Sequence, residues 1–292
     1  MKNVISFDGI CTLMKLYNKD KRINIKFGYF WMISILLSNS ILSNLSSVNQ
    51  ANQLNLNFWD GVFRILSYPY FILYIYIPGA LILLNPSKKL YEKYVTIRFN
   101  RKIKLIINEI AFKFIYINIF SLIYIISICI LSCLYFKIQL TWSSDIINME
   151  NTAKYSQSIY PNNFINIFSP QIALIINIIQ INLTIIFVDM IRGFIIDLKG
   201  SFKRANILIS LLLIVNFILF NFSILGKIQD ILNYFLISNF VLLWNHKFDL
   251  ISFSNVTIQQ SVVVLLLLTI AFIILRIVFC KEMRVIDGDY IN

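Results

Sequence analysis

Residues 85–109 read NPSKKLYEKYVTIRFNRKIKLIINE and form the longest basic block of the chain. Lys88, Lys89, Lys93, Arg98, Arg101, Lys102 and Lys104 stand in it against Glu92 and Glu109. Long apolar runs lead into it and out of it. A basic loop between two apolar spans is a cytoplasmic loop by the positive-inside rule. Asn85 suits an N-cap, and Pro86 at the first helical position forfeits no hydrogen bond there. On the helix that follows, Leu90, Tyr91, Tyr94, Val95 and Ile97 fall on one side. Lys89, Glu92, Lys93 and Thr96 fall on the other. The stretch reads as a short amphipathic helix at the cytoplasmic mouth of two membrane spans. A solvated anchor loop, which every multispan protein has, is the plainer alternative.

The composition around this block points to lipid. Of the 292 residues, 58% are hydrophobic and only 14% charged, with a mean hydropathy of +0.75. A soluble domain carries about 25% charged residues. Several apolar runs reach the roughly 20 residues that a bilayer crossing needs. The net charge of +12 does not imply nucleic acid, because the positive charge sits in the loops that orient the spans. Contact with anionic lipid accounts for it. Of the four cysteines, Cys129 and Cys133 lie four apart in an apolar helix, and Cys11 and Cys280 lie near the cytoplasmic side. They read as small buried hydrophobes, with no disulfide framework.

The expected fold is an all-α integral membrane protein, one domain over residues 1–292. It is a six-span bundle with spans at 27–45, 62–84, 110–136, 168–191, 205–225 and 260–279. Residues 1–26 lack the order of a signal peptide. Phe7, Ile10, Cys11, Leu13, Met14 and Tyr17 share one helical face, as in an interfacial helix. Pro69 and Pro78 are expected to kink the second span. Residues 137–167 read as an outside loop. Residues 192–204 form a second inside loop carrying Arg192, Lys199, Lys203 and Arg204. The apolar stretch at 231–244 is too short to span and reads as re-entrant. On this assignment only Arg64, Lys137, Lys154, Lys227 and Lys247 lie outside, and the rest of the 26 basic residues lie inside. Both termini are then cytoplasmic.

Several chemistries lack their residues. There is no G-x-x-x-x-G-K-[ST] stretch for a nucleotide phosphate. His246 is the only histidine, which removes the usual zinc sites and the H-E-x-x-H protease. It reads as a solvated outer-loop residue. No nucleophile elbow is present. No cofactor, metal or catalytic residue is assigned, and the chain does not read as an enzyme. No Glu-Glu pair lies inside a span, which argues against carboxylate chemistry in the membrane. Lys113, Asp189 and Arg276 stand near inner span ends, away from the middle where coupling charges of ion-driven transporters lie. Asn118, Asn177, Asn182, Asn216 and Asn221 read as interhelical ties. Work against a gradient would need an energy-giving partner.

The six spans, the interfacial start, the basic amphipathic loop and the re-entrant segment together resemble the type-2 ATP-binding-cassette exporter permeases. Within the block, YVTIRFNRKIK at residues 94–104 is similar to the basic Tyr-x-x-Ile-Arg-x-Ser-Arg-Lys loop of small permease-like proteins of Gram-positive bacteria. Some of those accompany bacteriocin or peptide export and immunity. Asn100 stands where the pattern has Ser. The resemblance implies a bacterial cell-membrane permease that exports a peptide or amphipathic substrate by alternating access. Its partners would be a separate ATPase subunit and a second permease, a copy or a relative. Lys89, Leu90, Lys93, Tyr94, Ile97, Arg98, Arg101 and Lys102 would then form the ATPase-coupling helix, and residues 192–204 a lesser contact. The alternative is a non-transporting immunity or scaffold protein that binds a peptide or partner in the membrane.

Overall fold

The computed structural model describes residues 10–11, 13, 21–84, 102–147, 162–199, 202–221, 227–247 and 255–282. Most of the expected interfacial helix over 1–26, most of the basic block and the acidic tail lie outside the described residues; residues 21–26 are already part of the first long helix, which starts ahead of the expected span at 27. The described chain is helical, with no strand. Its elements are α1 (Lys21–Ala51), α2 (Phe58–Leu66), α3 (Pro69–Leu83), α4 (Lys102–Tyr135), α5 (Ser144–Ile147) and α6 (Asn162–Ile167). There follow α7 (Pro170–Lys199), α8 (Phe202–Asn221), α9 (Lys227–Leu232), α10 (Ile237–Val241) and α11 (Ile258–Glu282). Among the described residues α1, α4, α7, α8 and α11 are each long and apolar enough to cross a membrane. The α2–α3 pair, bent by 51°, makes a sixth candidate if counted as one span. Leu36, Leu134 and Leu267 are among many large apolar side chains exposed on α1, α4 and α11. A surface of this kind fits hydrocarbon surroundings rather than water.

The second expected span is broken rather than kinked. α2 stops at Ser67, and Pro69 starts α3, where its missing N–H costs nothing. Inside α3 residues Ile72–Tyr76 form a π-helical turn, and the Ile77 N–H bonds back to the Ile72 carbonyl. The widened turn directly precedes Pro78, whose ring would clash with the carbonyl four residues back. One turn on, Gly79 admits the Phe30 ring of α1. A Cβ there would stand 1.8 Å from a ring carbon. Around this contact Tyr76 meets Phe120 at 5.6 Å and Tyr124 at 4.8 Å between ring centroids. The hydroxyls are tied as well, Tyr76 to Ser121 at 3.0 Å and Tyr124 to Ser38 at 2.9 Å. α1 supplies its share through a narrow stripe of Ser34, Ser38, Leu42 and Leu45, all buried.

The far end of α4 is closed by packed side chains. Asn57 caps α2, accepting from the Trp59 N–H at 2.9 Å, while Asp60 accepts from the Asn57 N–H at 2.6 Å. Asn57 also donates to the Thr141 carbonyl at 2.8 Å, and the Trp59 indole to the Gln139 carbonyl at 2.9 Å. Trp142 is buried against Phe63 and Phe164, with its indole on the Phe168 carbonyl at 2.8 Å. The stretch expected as an outside loop thus contributes, in its described parts, to the core.

One further boundary differs from expectation. α7 does not end at residue 191. It continues through Arg192 to Lys199, so Arg192 belongs to a helix and not to a loop. Residues 231–244 form neither a long helix nor a solvated loop. They break into the end of α9, a turn, α10 and a 3-10 turn at Leu243–Asn245. Leu236 through Leu243 are buried. Phe240 meets Phe187 of α7 edge to face at 6.3 Å. Cys133, expected as a buried hydrophobe, is exposed on α4, and Cys129 is half-buried.

Candidate functional site: a buried charge cluster and a neutral polar knot

Opposite charges recur at short helical spacing near one end of the bundle. On α4 Glu109 and Lys113 are four apart, so they face each other one turn away. Lys113 Nζ lies 2.6 Å from Glu109 Oε1. Across the interface it lies 2.8 Å from Asp189 Oδ2 on α7. Asp189 in turn pairs with Arg192, three residues on. Arg192 Nη1 donates to the Leu81 carbonyl of α3 at 2.5 Å. From α11, Arg276 Nε donates to Asp197 Oδ2 at 2.9 Å, and its Nη2 is 3.9 Å from Glu109 Oε2. Gly193 makes room for this guanidinium, since a Cβ there would lie 2.5 Å from Arg276 Cζ. Three carboxylates therefore meet three cations, and the cluster is neutral. Asp189 is 1% exposed and Arg192 and Arg276 are 3% exposed. Charges this deep are tolerated only when every one is paired. The cluster ties α3, α4, α7 and α11 together at one end.

One helical layer away the ties are uncharged. Ser121 donates to Asn182 Oδ1 at 2.5 Å, and Asn182 donates to Asn118 Oδ1 at 3.0 Å. Asn118 and Asn182 join α4 to α7, in the manner expected of interhelical glue. Asn216 of α8 accepts from the Ser238 N–H at 3.3 Å. Asn177 is buried, and its Oδ1 has no partner among the described residues.

His246 is not a solvated loop residue. It is 1% exposed, between α7 and α11. Its Nδ1 lies 3.0 Å from the Leu243 carbonyl, and its Nε2 lies 2.8 Å from Ser261 Oγ and 3.4 Å from Gln180 Nε2. Burial pushes the imidazole down to about 4, with the Leu243 and Leu242 backbone opposing the shift. Among the described residues no group of three His, Cys, Asp or Glu side chains is placed to hold a metal ion.

Of the residues singled out in the sequence, Lys89, Leu90, Lys93, Tyr94, Ile97, Arg98 and Arg101 lie outside the described residues. Lys102 opens α4 and Lys199 closes α7. Lys203 and Arg204 are exposed in the first turn of α8. Arg192 is buried in the charge cluster, where the pull of Asp189 and the Leu81 carbonyl outweighs solvation in a loop. The joint role of Glu109, Lys113, Asp189, Asp197 and Arg276 was not read from the sequence. Its local signal was present in the Glu109–Lys113 and Asp189–Arg192 spacings within apolar runs. Nothing among family models, curated proteins or solved structures matches the chain.

Proposed function

We propose that the chain is the membrane-spanning permease subunit of an ATP-driven transporter that exports a peptide or other amphipathic substrate. A separate ATPase subunit supplies the energy. The reading includes six crossings of a bacterial cell membrane, cytoplasmic termini, a re-entrant 231–244 segment and a second permease subunit as partner. The observation that carries it is the charge cluster. Glu109, the last residue of the basic block, and Lys113, one turn beyond it, stand two to three turns inside α4. Asp189 stands just before the second basic segment and Arg192 and Asp197 within it, all in the last turns of α7. A push on either basic segment therefore reaches the other helix, and α11, through paired charges rather than through loose apolar contact. That is what a permease driven from a cytoplasmic partner requires. In it, ATP binding favours one of two packings by binding that state better.

Capture of the tagged full chain from membranes of its own cells tests the reading. A nucleotide-hydrolysing subunit should co-purify in stoichiometric amount with wild type and be lost from a Tyr94→Ala/Ile97→Ala variant, since those side chains would seat the helix in a partner's groove. If wild type brings down no such subunit, the permease reading fails and the membrane scaffold or immunity reading replaces it.

A further inference from the structure

Residues 236–246 are a part of the interior that no long helix supplies. α10 and the 3-10 turn are only five and three residues long, so apolar packing and side-chain ties to their neighbours hold them in place. Three such ties are the Ser238 N–H to Asn216 Oδ1 at 3.3 Å, the Trp244 indole to the Ser67 carbonyl at 3.2 Å, and His246 to Ser261 at 2.8 Å. Of these, the last contains a titratable group.

The directions of its hydrogen bonds follow from what each atom can do. The Leu243 carbonyl only accepts, so Nδ1 carries the hydrogen. In the neutral ring Nε2 is then bare and accepts from the Ser261 hydroxyl. Ser261 Oγ accepts in turn from Gln180 Nε2 at 3.2 Å. The chain of donors runs one way, from Gln180 through Ser261 and His246 to Leu243. A proton at Nε2 breaks this order. Ser261 must turn its hydroxyl to the Ile258 carbonyl, 3.2 Å away. The Gln180 amide nitrogen then faces another donor at 3.4 Å, and the amide must turn its unpartnered Oε1 to the ring, giving up its bond to Ser261.

The surroundings give the cation hydrogen-bond acceptors but no counter-charge. His246 meets Gln180 from α7, Ser261 from α11, and the Leu242 and Leu243 backbone of its own segment. No charged side chain among the described residues contributes to its environment, and the neighbouring Lys247 is exposed. Hydrogen bonds to a buried cation recover only part of its lost hydration. Moving the segment outward recovers the rest, at the expense of two short helical pieces.

We infer that residues 236–246 form a proton-released latch. Neutral His246 fastens the segment to α7 and α11, and uptake of a proton from solvent at Nε2 frees it. The inference goes beyond the permease reading and stands without it, because its test involves no transport.

The test uses the full chain in lipid nanodiscs. Labelling with nitrogen-15 histidine reports a single ring, because His246 is the only histidine. At pH 7 the ring should carry its hydrogen on Nδ1, and it should titrate with a midpoint near 4. Hydrogen exchange of peptides over 236–246, corrected for intrinsic rate, should be at least tenfold faster at pH 4 than at pH 7, with α4 peptides unchanged. His246→Gln should remove that difference. Gln180→Glu sets a carboxylate against Nε2 and should raise the histidine midpoint above 6.5 while keeping the segment protected at pH 4. An Nε2–H ring at pH 7 overturns the inference, as does equal protection at both pH values. So does release of the Gln180→Glu segment at pH 4 to the wild-type extent, which would place the trigger elsewhere. The Gln180→Glu arm keeps the inference testable even if His246→Gln fails to fold.

Discussion

The two polar regions of the interior solve opposite problems. The cluster of Glu109, Lys113, Asp189, Arg192, Asp197 and Arg276 is fully charged, and long helices hold its members. The knot of His246, Ser261 and Gln180 is uncharged, and one of its members sits on short, interrupted structure. A charge cluster tolerates no slack, because each ion relies on a partner in place. A neutral knot holds lightly and responds to a single proton. The rigid end of this bundle and its adaptable part are set by the kind of polar group each buries.

The sharpest way to break the comparison is to unbalance the charged end. Arg276→Met removes the Asp197 partner and the more distant Glu109 contact together. Glu109 keeps Lys113, while Asp197, with its side chain 22% exposed, loses its ion pair, so the cost should lie at or below the lower end of the roughly 3–5 kcal/mol of a fully buried broken pair. Thermal unfolding of the purified protein should fall accordingly, or the variant should fail to accumulate. Arg276→Met with Asp197→Leu restores neutrality and should recover most of the loss. Failure of the double variant to recover would mean that Arg276 acts through packing rather than through charge.

The neutral knot should respond to pH instead. His246 ordinarily titrates near 6.5 and is held at about 4 in the fold. A base whose folded value is depressed contributes stability that is complete above its unfolded value. That stability is lost as pH falls from about 6.5 through about 4. The shift corresponds to something on the order of 3 kcal/mol. Denaturation midpoints of wild type and His246→Gln, compared across that window, should converge as the pH falls. Parallel curves would mean that the ring is solvated in the folded protein.

Much of the bundle was legible, and the reasons for the rest are specific. α4, α7 and α11 announce themselves as apolar runs long enough to cross a membrane. Arg192 was misread because a cation followed by Asp197 and Lys199 looks like a solvated loop from the sequence alone. The correction depends on Leu81 and Lys113, which lie 111 and 79 positions away and meet α7 only when the bundle packs. His246 was misread for the same reason. Asn245 and Lys247 beside it suggest water, whereas its burial comes from Gln180 and Ser261. Local spacing carries only the Glu109–Lys113 and Asp189–Arg192 pairs, which went unread, and partners across helices have no signal in a single chain.

Glycine substitutions probe how tightly each region is filled. Gly193→Ala pushes a Cβ against the Arg276 guanidinium. The end of a flexible side chain can move, but this one is held by its bond to Asp197. Overpacking of this kind costs about 1–3 kcal/mol. The drop in unfolding temperature should shrink when Asp197→Asn is already present, because the pair has then been weakened in advance. An equal drop in both backgrounds would show that the methyl group strains the backbone rather than the ion pair.

The smallest expected effect lies in the neutral knot. Ser261→Ala deletes the hydroxyl that donates to His246 Nε2 at 2.8 Å and accepts from Gln180 at 3.2 Å. Both remaining groups are buried, yet they already stand 3.4 Å apart with a donor nitrogen facing an acceptor nitrogen. A short rotation of the Gln180 amide brings them into hydrogen-bonding distance and recovers part of the loss. The net cost should therefore be about 1 kcal/mol, the size of one ordinary hydrogen bond, and well below that of Arg276→Met. Chemical denaturation at pH 7.5, where the imidazole is neutral, measures it without interference from titration. A cost as large as that of Arg276→Met would mean that the neutral knot is as unforgiving as the charged cluster. The contrast between a rigid end and an adaptable part would then fail.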